Sequence, residues 1–149
     1  MKSLACLKNR IKKNEGYRNK AYLDSLGFHT IGYGHLIKKN EKKYLRNTHS
    51  KKSLTTLFLN DFKKALNDYI KNYKPQKHNQ STKEVYIEMV YQLGIKNQKK
   101  FIKMNYWINK KQFFMAALEM KNSLWNKQTP KRVDCLIKIL LKKNYEKKR

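Results

Sequence analysis

The chain has 149 residues, 40% of them hydrophobic and 12% aromatic, with 36 Lys+Arg against 10 Asp+Glu and a formal net charge of +26. That is one domain's length, with too much large apolar material for a disordered basic tail. The 5 Gly, 2 Pro and 2 Cys exclude collagen-like, Pro-rich and disulfide-dense chains, and the longest apolar run, Phe113 to Leu118, falls far short of the ~20 residues of a bilayer helix.

In chain order, Lys2 to Asn14 places Leu4, Leu7 and Ile11 at helical spacing, and Gly16 reads as the helix stop. The opening MKSLACLKNRIKK has a basic flank but an apolar patch well below the roughly 7–15 residues of a secretory core. Synthesis in a cytoplasm without a signal peptide is the expectation. Four of the five glycines fall between residues 16 and 34, and AYLDSLGFHTIGYGH alternates about a turn at Ser25-Leu26-Gly27, which predicts a β-hairpin. From Lys38 to Lys52 the chain is polar and basic, a loop with a short helix. Ser53 is the expected N-cap of a helix whose stripe of Leu54, Leu57, Phe58, Phe62, Leu66, Tyr69 and Ile70 ends before Pro75.

Ser81-Thr82-Lys83-Glu84 has the form of a capping box, and Gly94 stops the helix that carries Val85, Met89, Val90 and Leu93. A short helical stretch around Phe101 to Trp107 follows, then a helix through Phe113, Ala116, Ala117 and Met120. Thr129-Pro130 opens the last helix, with Val133, Leu136, Ile137 and Leu140 as its stripe and a fraying basic tail after Leu141. The order of one helix, a small β region and a series of helices predicts an α+β domain of two lobes.

Chemistry is narrowed by what is missing. His29, His35, His49 and His78 lack metal-ligand spacing, so no metal is expected. Cys6 and Cys135 sit on predicted helices without an adjacent base and read as free structural thiols. There is no phosphate loop and no dinucleotide fingerprint, so no cofactor is expected. The charge fits an anionic polymer or a membrane surface as partner. It also fits drift in an AT-rich coding sequence, since the chain holds 31 Lys and 5 Arg beside 15 Asn and 10 Tyr. Either way, non-specific polyanion binding at low salt follows. The scarce acids say more. Only Glu15 and Asp24 occur in the first 40 residues. Glu15 ends the first helix, where the negative end of the dipole disfavours an ionised carboxylate, as suits a general acid. Asp24 and Thr30 lie on the two hairpin strands. Two carboxylates in different settings with a hydroxyl near one are the parts needed for glycoside hydrolysis.

Residues 15–36, EGYRNKAYLDSLGFHTIGYGHL, resemble the active-site region of the T-even phage lysozymes, glycoside hydrolase family 24: Glu, eight residues, Asp, five residues, Thr, then I-G-x-G-H. The resemblance continues at Leu57 to Asp61, at Met89 to Gly94 and at Ser123 to Arg132. It implies a β-containing lobe over about 15–55, a connecting helix over about 53–73, a helical lobe made of about 1–14 and 74–149, and a cleft between the lobes. Glu15 is then the expected proton donor, and Asp24 with Thr30 the holders of the attacking water. Leu36, Tyr91 and Gln92 are expected to contact saccharide, Arg132 to pair with Glu15, and His35 with Asp61 as a structural ion pair. Glu88 shares a helix face with Tyr91 and Gln92 and is expected to reach Arg132 as well.

The activity implied is that of an inverting muramidase on bacterial peptidoglycan, acting at the wall as a bacteriolytic monomer without a cofactor or a membrane span. The alternative is a non-catalytic cationic wall- or nucleic-acid-binding protein on the same fold.

Overall fold

Helix α1 (Ala5–Glu15) buries Leu7 and Ile11, one turn apart, and ends at Gly16, whose φ of 72° is open to a residue without a Cβ and whose N–H donates to the Lys12 carbonyl. The computed structural model describes residues 4–145, with side chains through residue 142. After Gly16 the chain reverses into β1 (Arg18–Leu23), β2 (His29–Gly32) and a two-residue β3 (His35–Leu36), an antiparallel sheet in the order β1-β2-β3. The hairpin matches the alternation of the sequence; β3 is too short to leave a pattern of its own. Register pairs Tyr22 with Thr30 and Leu23 with His29, and the ladder is irregular between Arg18 and Tyr22.

Helix α2 (Lys51–Asn72) starts two residues before the expected cap. Ser50 rather than Ser53 supplies the oxygen, because its Oγ accepts the Ser53 N–H at 3.2 Å. The chain divides into two compact units, Met1–Lys64 and Ala65–Arg149, with the boundary inside α2. In the first unit, Tyr33, Phe58 and Phe62 form a run of ring contacts with centroids 5.5 and 6.2 Å apart. The ammonium groups of Lys8 and Lys12 lie over these rings, which is how so basic a helix covers an aromatic core.

The second unit is helical among its described residues. Helix α3 (Gln80–Leu93) is capped by Asn79, whose Oδ1 accepts the Thr82 N–H at 2.9 Å. The expected capping box at Ser81 is therefore two residues too late; Ser81 and Thr82 are buried within the first turn. Helices α4 (Ile95–Lys99), α5 (Ile102–Asn109), α6 (Phe113–Lys121), α7 (Leu124–Gln128) and α8 (Pro130–Tyr145) follow. Ser123 caps α7, and Pro130 opens α8 as its sequence signals. Helix α8 runs four residues past Leu141, where fraying was expected; the rest of the tail lies outside the described residues. The core of this unit joins Val85 and Met89 of α3 with Met104, Ala116, Met120, Val133 and Leu136. The architecture is thus α+β and lysozyme-like: mostly helical with one small antiparallel sheet.

Candidate active site

Asp24 closes the hairpin. Its Oδ1 accepts the backbone N–H groups of Leu26 and Phe28, each at 2.9 Å, an Asx-type turn completed by Gly27 at φ 81°. The Asp24 N–H in turn donates to the Phe28 carbonyl at 2.9 Å. The Thr30 hydroxyl donates to the same carbonyl at 3.2 Å. One backbone residue, Phe28, therefore holds both Asp24 and Thr30. Register pairs Tyr22 with Thr30 on one face of the hairpin, and Asp24, expected on the first strand, stands just past its end at the turn. Thr30 is buried and Asp24 half-buried.

Glu15 reaches the same sheet from the end of α1. A Cβ built on Gly34, in the turn between β2 and β3, would stand 2.5 Å from Glu15 Oε2. The carboxylate occupies the space that a side chain at 34 would fill, and Gly34 has φ 78°, so glycine is required there twice over. Glu15, Asp24 and Thr30 thus share one small sheet.

Tyr22 was not singled out by the sequence, where it passes for an ordinary strand aromatic. Burial raises its phenol pKa most, the charge of Glu15 next and that of Asp24 less, while Arg18 opposes them. The Arg18 guanidinium lies 4.4 Å from its ring centroid. The phenol therefore keeps its proton at neutral pH and is a neutral donor beside two carboxylates.

His35 is buried, with Nδ1 2.7 Å from Asp61 Oδ2 and Nε2 3.0 Å from Glu41 Oε2. Burial lowers its pKa, but the hydrogen bonds and charges of Asp61 and then Glu41 outweigh it, and the net shift is upward. With a carboxylate on each ring nitrogen, protonation of the ring lets both nitrogens donate, one to each carboxylate, and so the imidazolium is the form these partners favour. The Glu41 carboxyl is held low against its own desolvation by the Lys38 N–H and by His35. Glu41 also went unnoticed in the sequence, although it is the one acid between Asp24 and Asp61.

In the second unit, Arg132 Nε donates to the fully buried Glu88 Oε1 at 3.1 Å. The half-buried Gln92 accepts the Trp125 indole N–H on its Oε1 at 2.8 Å, so the hydrogen bond uses the oxygen of its amide and not the NH2. Tyr91 is half-buried and Leu36 exposed. Among the described residues, no group of three His, Cys, Asp or Glu is arranged to hold a metal ion. Cys6 and Cys135 are both free thiols.

The phage lysozyme family model matches residues 12–143, a span that includes every residue of this constellation. The chain belongs to the phage lysozyme family. Among its similar relatives are two Dictyostelium discoideum proteins. "Probable T4-type lysozyme 2" is 33% identical over 160 residues, covering 91% of this chain and 94% of that one. "Probable T4-type lysozyme 1" is 30% identical over 162 residues, covering 92% and 94%.

Proposed function

We propose that this chain is a muramidase that hydrolyses the β-1,4 bond between N-acetylmuramic acid and N-acetylglucosamine in bacterial peptidoglycan, with inversion at the anomeric carbon. The observation that carries this reading is the shared anchoring of Asp24 and Thr30 on Phe28. Asp24 Oδ1 is taken up by two backbone donors, so Oδ2 is the oxygen offered to solvent. The Thr30 hydroxyl gives its proton to a carbonyl and keeps its lone pairs. A water donating one hydrogen to each is left with a free lone pair for C1.

Glu15 delivers its proton to the glycosidic oxygen as the C1–O bond breaks. The water oxygen bonds to C1 from the opposite face, and its proton passes to Asp24. Exchange with solvent returns both carboxyl groups to their starting states. A direct nucleophile would need no second group to hold water, which is why inversion is favoured over retention. Leu36, Tyr91 and Gln92 are assigned to saccharide contact, with the Gln92 NH2 as donor, its Oε1 being taken up by Trp125. His35, Asp61 and Arg132 are assigned supporting roles. The protein acts at the bacterial wall as a monomer, and its charge draws it to anionic polymers there. Among the described residues, no helix is long and apolar enough to cross a membrane.

The stereochemistry is the direct test. NMR of the first product should show the inverted anomer. The retained anomer would overturn the water-holding assignment of Asp24 while leaving hydrolysis itself intact. Thr30→Val should cost about 10–100-fold in kcat by removing one hydrogen bond to the water.

Tyr22, whose backbone pairs with that of Thr30 and whose phenol feels the charges of Glu15 and Asp24, is assigned a role in the electrostatics of the site. Tyr22→Phe should lower kcat about three- to tenfold with KM little changed, and should displace one limb of the pH–rate profile. An unchanged profile with normal kcat would reduce Tyr22 to packing.

A further inference from the structure

The outward faces of α5 and α6 are apolar in a chain otherwise dominated by lysine. Ile102 is 74% exposed and Tyr106, one turn on, 51%; Phe114 is 57% exposed and Leu118, one turn on, 41%. A surface helix ordinarily turns polar residues outward at these positions. The two helices pack against each other. A cavity of about 460 Å³ lined by Ile102, Lys103, Glu119 and Asn122 joins their edges, and Leu118 stands one turn before Asn122. Ile102 with Tyr106 on α5 and Phe114 with Leu118 on α6 are thus exposed apolar pairs, each at i,i+4 spacing, on two helices that pack side by side.

The same stretch of chain carries exposed Lys99, Lys100, Lys103, Lys110, Lys111 and Lys121, the last paired with Asp134 at 2.6 Å, against Glu119 as the one acid between residues 95 and 124. The Lys110 ammonium lies over the Tyr106 ring at 5.8 Å, and the ring of the adjacent Trp107 meets the Tyr106 ring edge-on at 5.0 Å between centroids. Apolar side chains ringed by lysines, with aromatic residues among them, match the headgroup boundary of an anionic bilayer. A soluble polyanion would engage the lysines and gain nothing from Ile102, Phe114 and Leu118. A second copy of the chain would bring another charge of +26 against this one.

We propose that the outer face of the α5–α6 hairpin docks in the plane of an anionic lipid bilayer, its apolar side chains entering the headgroup boundary. The proposal is independent of the muramidase reading.

The test uses sedimentation of the full chain with phosphatidylglycerol–phosphatidylcholine vesicles at low salt and at about 0.5 M salt, where charge alone is screened within a few ångströms. Wild type should stay bound at high salt. The triple variant Ile102→Ser, Phe114→Ser, Leu118→Ser, which keeps the net charge and removes only exposed groups, should bind about tenfold less or weaker still. Ile70→Ser, at a 46% exposed position on α2, should leave binding unchanged. Trp107 emission should shift to the blue with the vesicles in wild type and not in the triple variant. Equal binding by wild type and triple variant, loss of all wild-type binding at high salt, or equal binding to pure phosphatidylcholine would each overturn the proposal. Sedimentation equilibrium without vesicles provides the other arm: a wild-type dimer abolished in the triple variant would assign the face to a second copy instead.

Discussion

Glu15→Gln should lose roughly 10²–10⁴-fold of peptidoglycan hydrolysis, the whole contribution of a general acid, while the protein folds as before. The amide has the shape of the carboxyl group but no proton to give at the leaving oxygen. The fold should tolerate it because Gln fits the same space over Gly34. Release of reducing ends from purified peptidoglycan measures the loss. Gly34→Ala should reproduce much of it by a different route, since the new Cβ would stand 2.5 Å from Glu15 Oε2 and displace the carboxylate. If Glu15→Gln solubilises wall at the wild-type rate, the activity is cationic disruption by a chain of charge +26 and not hydrolysis. A zymogram run with both variants separates the two readings, because neither substitution alters the basic surface.

His35→Asn should destabilise the fold by about 2–4 kcal/mol in mildly acidic solution, because it removes a buried cation from between two carboxylates and leaves their charges facing each other. The pH dependence identifies the cause. The His35 pKa is raised above its ordinary 6.5, so its contribution is fully present below that value and is lost as pH rises through the raised folded-state value. The Glu41 pKa is lowered from its ordinary 4.5, so its contribution is present above that value and is lost as pH falls through the lowered one. The contributions of His35 and Glu41 to this clamp are therefore both present between 4.5 and 6.5. Urea unfolding of wild type and His35→Asn at about pH 5.5 and about pH 8.5 should show a large difference at the first and a smaller one at the second. Equal differences at both would mean that His35 acts by packing alone. Glu41→Gln should remove part of the same acidic-side stability, and it tests the half of the clamp that the sequence did not suggest.

Where local chemistry was strong, the sequence was readable. Gly16 and Gly94 end α1 and α3 where they should, because only a residue without a Cβ takes those positive φ values at no steric cost. The stripe from Leu54 to Tyr69 became α2, and Pro130 opened α8. Caps were read less well. Ser53 and Ser81 were chosen for their residue type, yet Ser50 and Asn79 do the capping. Ser, Thr and Asn cluster at both places, and propensity does not tell neighbours of one kind apart; which oxygen meets an N–H depends on where the chain enters the helix.

By itself, the sequence determined the α+β class and the hairpin and singled out Glu15, Asp24 and Thr30 as the candidate reacting set, since each reading depends on near neighbours or on a motif of contiguous spacing. Only the tertiary structure decided that Phe28 fastens both Asp24 and Thr30, that Glu15 rests on Gly34, and that Glu41 joins Asp61 around His35. Likewise, only burial showed that Tyr22 shares the electrostatics of both carboxylates and that the lysine-rich α5–α6 hairpin turns an apolar face outward. The reason is physical. Periodicity records which face of an element is apolar, whereas the partner of a polar atom, and the solvent left to an apolar one, are set by chain segments that the fold alone brings together.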